Sequence, residues 1–262
     1  MSVAGRACLA AVTSLSHLEF DFIWEHLGVG EQPYPLDVAS HGQTMAERVA
    51  LRSQVRESLR AKGLHDGERL SVRLEEQLTL LVRAGLTVDA QLSVGEYVRV
   101  LAAADGAVGV LAAQTDAEIR VASVREGKLV PAVLALVPDE KPGPGGPARL
   151  PAAAFDQAIE EYQTGGYVAL ERALTAAGVA GRELRTVVTL VESARHGGGQ
   201  VAANRVDALG RRTRTPVVNW FDTAAGRYLA ATETTRDGVA WLSVVPADTG
   251  RIEQRLTSLV HP

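Results

Sequence analysis

A Pro- and Gly-rich segment divides the chain near its middle, and the same order of predicted elements precedes and follows it. Residues 138–147 read PDEKPGPGGP, and Pro and Gly at this density interrupt both helices and central strands. On each side, apolar residues first recur at helical spacing and then alternate as they do in strands. We therefore predict a flexible leader at 1–14 and a single domain at 15–262. Its two related halves, 15–139 and 150–260, are joined by a linker at 140–149.

A shift of 108 residues aligns the two halves without a gap. Eight of the 29 positions from 110 to 138 are then identical, among them Thr115 with Thr223 and Leu134 with Leu242. The chain is rich in alanine, so this similarity is modest by itself, but the shared order of elements supports it. We predict a quasi-two-fold molecule built from two copies of one unit.

Three helices are predicted at the start of the first half. They cover about residues 16–28, 44–62 and 71–84. Ser16 is the expected N-cap of the first helix and Gly28 its end, and the carboxylates of Glu19 and Asp21 are expected on its solvated face. From Leu86 the sequence LTVDAQLS alternates strictly, which predicts a half-buried strand. The later segment LVPAVLALV fits either a covered strand or a short helix.

The second half repeats this order. A helix with Phe155, Ile159 and Tyr162 on one face is followed by predicted helices at 167–177 and 182–194. Strands come next, and a final helix capped by Asp248 closes the chain.

The composition argues against several classes of protein. The net charge of −4 and the pI of about 5.9 do not predict nucleic-acid binding. No apolar run reaches the ~18 residues of a membrane span, and the N-terminus lacks a clear signal-peptide cleavage site. We therefore expect a cytoplasmic protein without membrane insertion. The single cysteine, Cys8, fits a reducing compartment and is expected to be inert.

Metal and catalytic motifs are also missing from the sequence. The six histidines are scattered, and no His-x-x-x-His or Cys pair supplies the spacing of metal ligands. No Gly-x-Ser-x-Gly elbow is present. We therefore expect no metal site, and no constellation of residues supports an enzyme. The alternative is a small-molecule hydrolase using His196 and Asp222, which requires those two side chains to converge in one pocket.

Three glycines after His196 form the most site-like motif. A phosphate-binding loop runs from a strand through glycines into a helix, whereas here the predicted helix comes first and the strand follows. The glycines would then stand at the C-terminal end of a helix dipole, which repels anions. We predict a helix cap and a flexible connection. RRTR at 211–214 is predicted to be a turn whose charges block strand pairing or contact an acidic partner.

Aromatic residues concentrate in the segment NWFDTAAGRYLAATET at 219–234. The corresponding segment of the first half, VLAAQTDAEIRVASVR at 110–125, which the same shift carries onto 218–233, has no aromatic residue, so the hairpin folds without them. We predict that Asp222 and Thr223 form its turn. Trp220 and Tyr228 are expected to be cross-strand neighbours with a role on the partner surface, and Phe221 is expected to pack inside.

Both ends of the chain resemble the EspG family, the secretion-associated chaperones of type VII (ESX) systems in actinobacteria. The resemblance rests on LEFDFIWEHLGVGEQPYPLDV, on GGGQVAANRVDALGRRTRTPVVNWFDTAAGRYLAAT and on WLSVVPAD with the helix after it. It implies an α+β fold, in which a central, mainly antiparallel β-sheet is flanked by N- and C-terminal helical bundles. It also implies a cytosolic protein without cofactor or catalysis, which binds the helical tip of a PPE protein within a PE–PPE pair.

The resemblance also implies which residues bind the partner. By position they would be Leu92, Ser93, Val94 and Tyr97 in the loop 92–97, Ser193, His196 and Gly198 in the connection 193–199, and Val201 and Ala203 on the sheet. In family members known for PPE binding the first loop is long, whereas here only SVGE at 93–96 separates two strands. A related helical ESX substrate is therefore an alternative client, and a self-associating scaffold is an alternative function. We expect a monomer or a weak dimer.

Overall fold

The computed structural model describes residues 12–260, so Cys8 lies outside the described part. The helices are α1 His17–Leu27, α2 Met45–Ala61, α3 Val72–Arg83, α4 Leu129–Leu134, α5 Ala152–Ala176, α6 Gly181–Glu192 and α7 Thr249–Val260. The strands are β1 Thr13–Leu15, β2 Leu86–Ser93, β3 Tyr97–Asp105, β4 Val108–Gln114, β5 Ile119–Arg125, β6 Ala148–Pro151, β7 Arg195–Val206, β8 Arg212–Arg214, β9 Val218–Thr223, β10 Gly226–Thr234 and β11 Ala240–Pro246.

Local signals place the helix ends where the sequence predicts them. Ser16 accepts from the Glu19 amide and the Glu19 carboxylate accepts from the Ser16 amide, which is a capping box. Gly28 ends α1 in the left-handed conformation. Thr44 caps α2 in the same reciprocal way, and the Asp248 side chain accepts from the Arg251 amide at the start of α7. The ambiguous segment LVPAVLALV contains the short helix α4.

The chain divides into two compact units. The first takes the described residues up to Gln91 together with Glu96–Leu136 and Ala203–Thr213, and the second takes Leu92–Gly95, Val137–Ala202 and the rest from Arg214. The second unit therefore contains the segment predicted as a linker. Thr13 and Ser14, which the sequence assigned to the leader, lie in β1 and pair with β5.

In the first unit, the strand order is β1-β5-β4-β3-β2. The pairs β1–β5, β4–β5 and β3–β4 are antiparallel. Helices α1 to α3 cover one face of these strands. Their buried side chains, such as Phe20 and Leu78, share a core with Ala103, Val110 and Val121 of the sheet. This core follows from the alternation of apolar residues on the strands and their helical spacing on the helices.

In the second unit, the strand order is β7-β9-β10-β11-β6. The pairs β7–β9, β9–β10, β10–β11 and β6–β11 are all antiparallel. Helices α5 and α6 pack on β6 and β11 around Leu150, Leu170 and Val187. Helix α5 breaks at Gly166, whose φ of 61° and ψ of −153° are not helical. The sequence had predicted two helices there, separated at this place.

The predicted internal repeat agrees with the order of elements. A shift of 108 residues carries α2 onto 153–169, within α5, and α3 onto 180–191, which overlaps α6. It also carries β2 onto 194–201, which overlaps β7, and β5 onto 227–233 within β10. The repeat fails at α4, which the same shift carries onto 237–242, where β11 begins.

Candidate partner-binding surface

The turn between β2 and β3 is as short as the sequence predicts. Strand β2 ends at Ser93 and β3 begins at Tyr97. Ser93 is exposed, Val94 is half-buried and Tyr97 is 42 % exposed. Leu92, in contrast, is fully buried, because it lies on the inward side of the alternating strand. The prediction of Leu92 as a contact residue is therefore wrong for this conformation.

The glycines after His196 lie inside β7, so the prediction of a helix cap with a flexible connection is wrong. Helix α6 ends at Glu192 and β7 starts at Arg195. A Cβ added to Gly197 would lie 3.0 Å from the Ser93 carbonyl oxygen, and one added to Gly198 would lie 2.6 Å from the Trp220 carbonyl oxygen. Glycine is therefore required for close approach of neighbouring backbone.

His196 is exposed at the start of this strand, as is Arg195. The pairing of β7 with β9 shifts between Arg195 and Gly197, which leaves His196 as the extra residue of a bulge. Its side chain is 56 % exposed, and its Nε2 lies 3.4 Å from Oε2 of Glu140. Ser193 is half-buried at the end of α6. These two side chains remain accessible to a partner.

The remaining predicted contact residues are covered by the chain itself. Gly198, Val201 and Ala203 are buried in β7, and Val201 pairs with Val218 of β9. The sheet face that the resemblance assigned to the partner is therefore packed at these positions, which corrects the prediction for all three.

The aromatic hairpin places its side chains differently from the prediction. Trp220 pairs with Leu229, whereas Tyr228 pairs with Phe221, so Trp220 and Tyr228 lie on opposite faces and are not cross-strand neighbours. Both are fully buried, which contradicts their expected role on the surface. Phe221 is the partly exposed aromatic residue, and the Arg195 guanidinium carbon lies 4.2 Å from its ring centroid.

Tyr228 is fixed by the Pro- and Gly-rich segment 138–147, which we call the strap. The Tyr228 hydroxyl donates to the Pro144 carbonyl oxygen at 2.9 Å, and burial raises the pKa of this hydroxyl. The Gly143 amide donates to the Arg227 carbonyl oxygen at 3.0 Å. The strap is therefore an ordered part of the second unit, with backbone bonds to β10.

Asp222 belongs to a buried ion pair, which the sequence analysis missed. Nε and Nη2 of Arg227 donate to its two carboxylate oxygens at 2.5 and 3.0 Å. The predicted turn is made by Ala224 and Ala225, since Thr223 pairs with Gly226. A two-residue turn places Asp222 directly opposite Arg227, so the spacing in FDTAAGR was the signal for this pair.

The side chains of His196 and Asp222 have different partners. Asp222 is held by Arg227, and His196 faces Glu140.

RRTR is also different from its prediction, because Arg212–Arg214 form the exposed strand β8 and not a turn. Among residues 12–260 no group of three or more His, Cys, Asp or Glu side chains is placed to hold a metal ion. No helix in the same range is long and apolar enough to cross a membrane.

A model of the EspG family matches residues 16–258. The chain belongs to the EspG family. The resemblance seen in the sequence is thereby confirmed over nearly the whole length of the chain.

The EspG fold is confirmed by a solved structure. The chain is similar to the chaperone EspG5 of the Mycobacterium tuberculosis type VII secretion system, solved in complex with a PE25–PPE41 dimer. The TM-score is 0.75 and the match covers 95 % of each chain, at 15 % sequence identity. Similarity at this identity establishes the α+β fold. No curated protein matches the chain.

The predicted EspG contact residues thus separate into two groups. Leu92, Gly198, Val201, Ala203, Trp220 and Tyr228 are buried and support the fold. Ser93, Val94, Tyr97, Ser193 and His196 keep part or all of their side-chain surface accessible.

Proposed function

We propose that this protein is a cytoplasmic chaperone or adaptor of a type VII secretion system. It binds the helical tip of a PE/PPE-like substrate, or of a related helical ESX substrate, keeps that substrate soluble and delivers it to the secretion machinery. The observation that carries the proposal is the family match over residues 16–258. The fold shared with a chaperone solved in complex with a PE25–PPE41 dimer supports the class of client.

The accessible residues favour a binding role. In the second unit, Ser93, Val94, Ser193 and His196 offer small or uncharged groups, and in the first unit Tyr97 offers an exposed ring. An apolar helix tip gains about 25 cal/mol for each Å² of apolar surface that it buries on such residues. Polar groups at the rim add orientation more than affinity.

A non-catalytic role is supported by the state of Asp222, one of the two candidate catalytic groups. Asp222 is 4 % exposed, and both of its carboxylate oxygens accept from Arg227. A general base must reach the proton that it removes, and this carboxylate is turned inward. We therefore propose that the protein binds its client without chemical change.

The short turn at 94–96 bears on the type of contact. A three-residue turn does not extend as a flexible arm around a client. We therefore infer that side chains at the end of β2, such as Ser93, make the contact, and a pre-formed surface loses little conformational entropy on binding.

Co-expression with a PE/PPE-like pair encoded beside the gene tests the proposal. We expect a 1:1 complex by size-exclusion chromatography with light scattering, and a larger soluble fraction of the client than without the protein. Ser93→Arg, which places a charge in the proposed contact, is expected to weaken binding. Val239→Arg is the control, because Val239 is 40 % exposed in the same unit and is not a proposed contact residue.

Two results would contradict this function. One is a protein that stays free of every helical client tested while those clients are soluble without it. The other is a client-free dimer that buries well over ~1,000 Å² of apolar surface, which would favour a self-associating scaffold.

A further inference from the structure

Two exposed tyrosines mark one region of the first unit. Tyr34 is 57 % exposed, in the segment between α1 and α2, and Tyr97 is 42 % exposed at the start of β3. Tyrosine carries a large apolar ring with a polar end, and it is enriched at protein interfaces for that reason. Tyr97 belongs to the proposed contact surface, whereas Tyr34 has no role assigned so far.

The loop that carries Tyr34 is closed and anchored. The Gln32 side chain bonds both backbone groups of Val38, accepting from the amide and donating to the carbonyl oxygen, each at 2.8 Å. Leu36 and Val38 are buried beneath the loop. Tyr34 is thus held at the exposed side of a rigid seven-residue loop, Gln32 to Val38.

The same loop is bonded to the sheet at three points. The Tyr34 hydroxyl accepts from Nε2 of Gln91 in β2 at 2.9 Å. The Asp37 amide donates to Oε1 of the buried Gln114 at 2.8 Å, and Nε2 of Gln114 donates to the Asp37 carbonyl oxygen at 2.6 Å. A ring held this way loses little rotational freedom when a partner covers it.

An arginine connects this loop to Tyr97. The Arg99 guanidinium carbon lies 5.1 Å from the centroid of the Tyr97 ring, and Nη2 of Arg99 lies 3.6 Å from Oδ2 of Asp37. Tyr34, Asp37, Arg99 and Tyr97 therefore form one connected group, which we call the tyrosine patch. Since Arg99 is paired with Asp37, the formal charges within the patch cancel.

We propose that the tyrosine patch is an aromatic anchor for the helical client and that Tyr34 is a second binding residue beside Tyr97. This inference rests on the proposed chaperone function. Tyrosine and arginine are the residues that most often carry binding energy at protein interfaces. The neutral patch offers no excess charge to attract nucleic acid or anionic lipid. Its exposed rings offer apolar surface to a helix, whose apolar side chains recur three or four residues apart.

Binding of a purified PE/PPE-like pair to single-residue variants tests the inference. We expect Tyr34→Ala and Tyr97→Ala each to raise the Kd about tenfold or more, as typical aromatic anchors do. Val108→Ala is the control, because Val108 is 65 % exposed in the same unit and lies outside the patch. Tyr34→Phe, which keeps the ring, is expected to retain most of the affinity.

A measurement on the unmodified chain avoids effects of the variants on folding. Tyr34 and Tyr97 are exposed, so both should react with a tyrosine-nitrating reagent, and mass spectrometry should show their protection once the client is bound. If the wild-type chain binds the client but neither Tyr34→Ala nor nitration protection shows an effect at Tyr34, the inference fails and the chaperone function stands. If the wild-type chain binds no client, both fail.

Discussion

Arg227 and Asp222 form an ion pair with two hydrogen bonds in the interior of the second unit, and Arg227 has no exposed surface. Two further donors of this guanidinium are also used. Nη1 donates to the Thr249 hydroxyl and Nη2 to the Pro138 carbonyl oxygen, both at 2.8 Å. The pair therefore joins the β9–β10 hairpin to the strap and to the start of α7.

Arg227→Met is expected to lower the free energy of unfolding by about 3–5 kcal/mol, because it leaves the Asp222 carboxylate buried without its partner. Urea unfolding followed by circular dichroism measures this loss. The control is Glu233→Gln, which breaks the exposed ion pair with Arg255 at the end of the same hairpin. We expect that change to stay within about 1 kcal/mol. Equal losses for the two variants would contradict the structural role of the buried pair.

The glycines of the strap give a second, steric prediction. A Cβ on Gly143 would lie 2.2 Å from the Tyr228 ring, whereas a Cβ on Gly146 meets no atom within 4 Å. Gly143→Ala must therefore displace the strap or the buried ring, and we expect a loss of about 1–3 kcal/mol. Gly146→Ala is expected to be neutral or slightly stabilising. Thermal unfolding of the two proteins side by side distinguishes the cases, and a Gly143→Ala protein as stable as wild type would show that the strap moves freely.

Glu19 makes the stability of the first unit depend on pH. Burial alone would raise the pKa of Glu19, but hydrogen bonds from Lys62, Ser58 and the Ser16 amide hold this pKa below its ordinary value. The ionised form therefore stabilises the folded state. This contribution is complete above the pKa of an unfolded-chain glutamate, about 4.3, and is lost as the pH falls through the lower folded-state pKa.

Glu19→Gln is accordingly expected to lower the free energy of unfolding by about 1.5–3 kcal/mol at pH 7, the range for hydrogen bonds to charged groups. The difference from wild type should shrink as the pH falls below about 4. Glu25→Gln is the exposed control: hydrogen bonds from Arg48 and Arg52 also lower the pKa of Glu25, but its side chain is 45 % exposed, so we expect a loss within about 1 kcal/mol at pH 7. A difference for Glu19→Gln that stays constant from pH 7 to pH 3 would refute the link to ionisation.

The sequence predicted features that depend on neighbouring residues and missed those that depend on distant ones. The cap of α1 at Ser16 and its end at Gly28 are local, and both were predicted. Glu19 and Asp21 were expected on the solvated face, but both are buried. Their partners Lys62 and Arg48 come from the region of α2. The helical spacing within α1 does not show which residues of α2 will pair with these two carboxylates.

The contact surface shows the same limit. Ser93 and His196 were predicted as contact residues from the resemblance to the EspG family, and both side chains are exposed. The glycines after His196 were assigned to a helix end, because their closest neighbours, the carbonyl oxygens of Ser93 and Trp220, are remote in sequence. Register was predictable in principle, since the two-residue turn between Thr223 and Gly226 determines which residues of the hairpin face each other.

That register leads to a final prediction, on the two adjacent aromatic residues of β9. Trp220 is fully buried, whereas Phe221 is only partly buried beneath Arg195. Trp220→Ala is therefore expected to lower the free energy of unfolding by about 3–5 kcal/mol, and Phe221→Ala by clearly less. Trp220→Phe is informative as well, because the Trp220 Nε1 group has no hydrogen-bond partner. We expect Trp220→Phe to lower the free energy of unfolding much less than Trp220→Ala does, since it keeps an aromatic ring and removes an unpaired donor. Urea unfolding of the three proteins ranks them, and a larger loss for Phe221→Ala than for Trp220→Ala would mean that the faces of the hairpin are reversed.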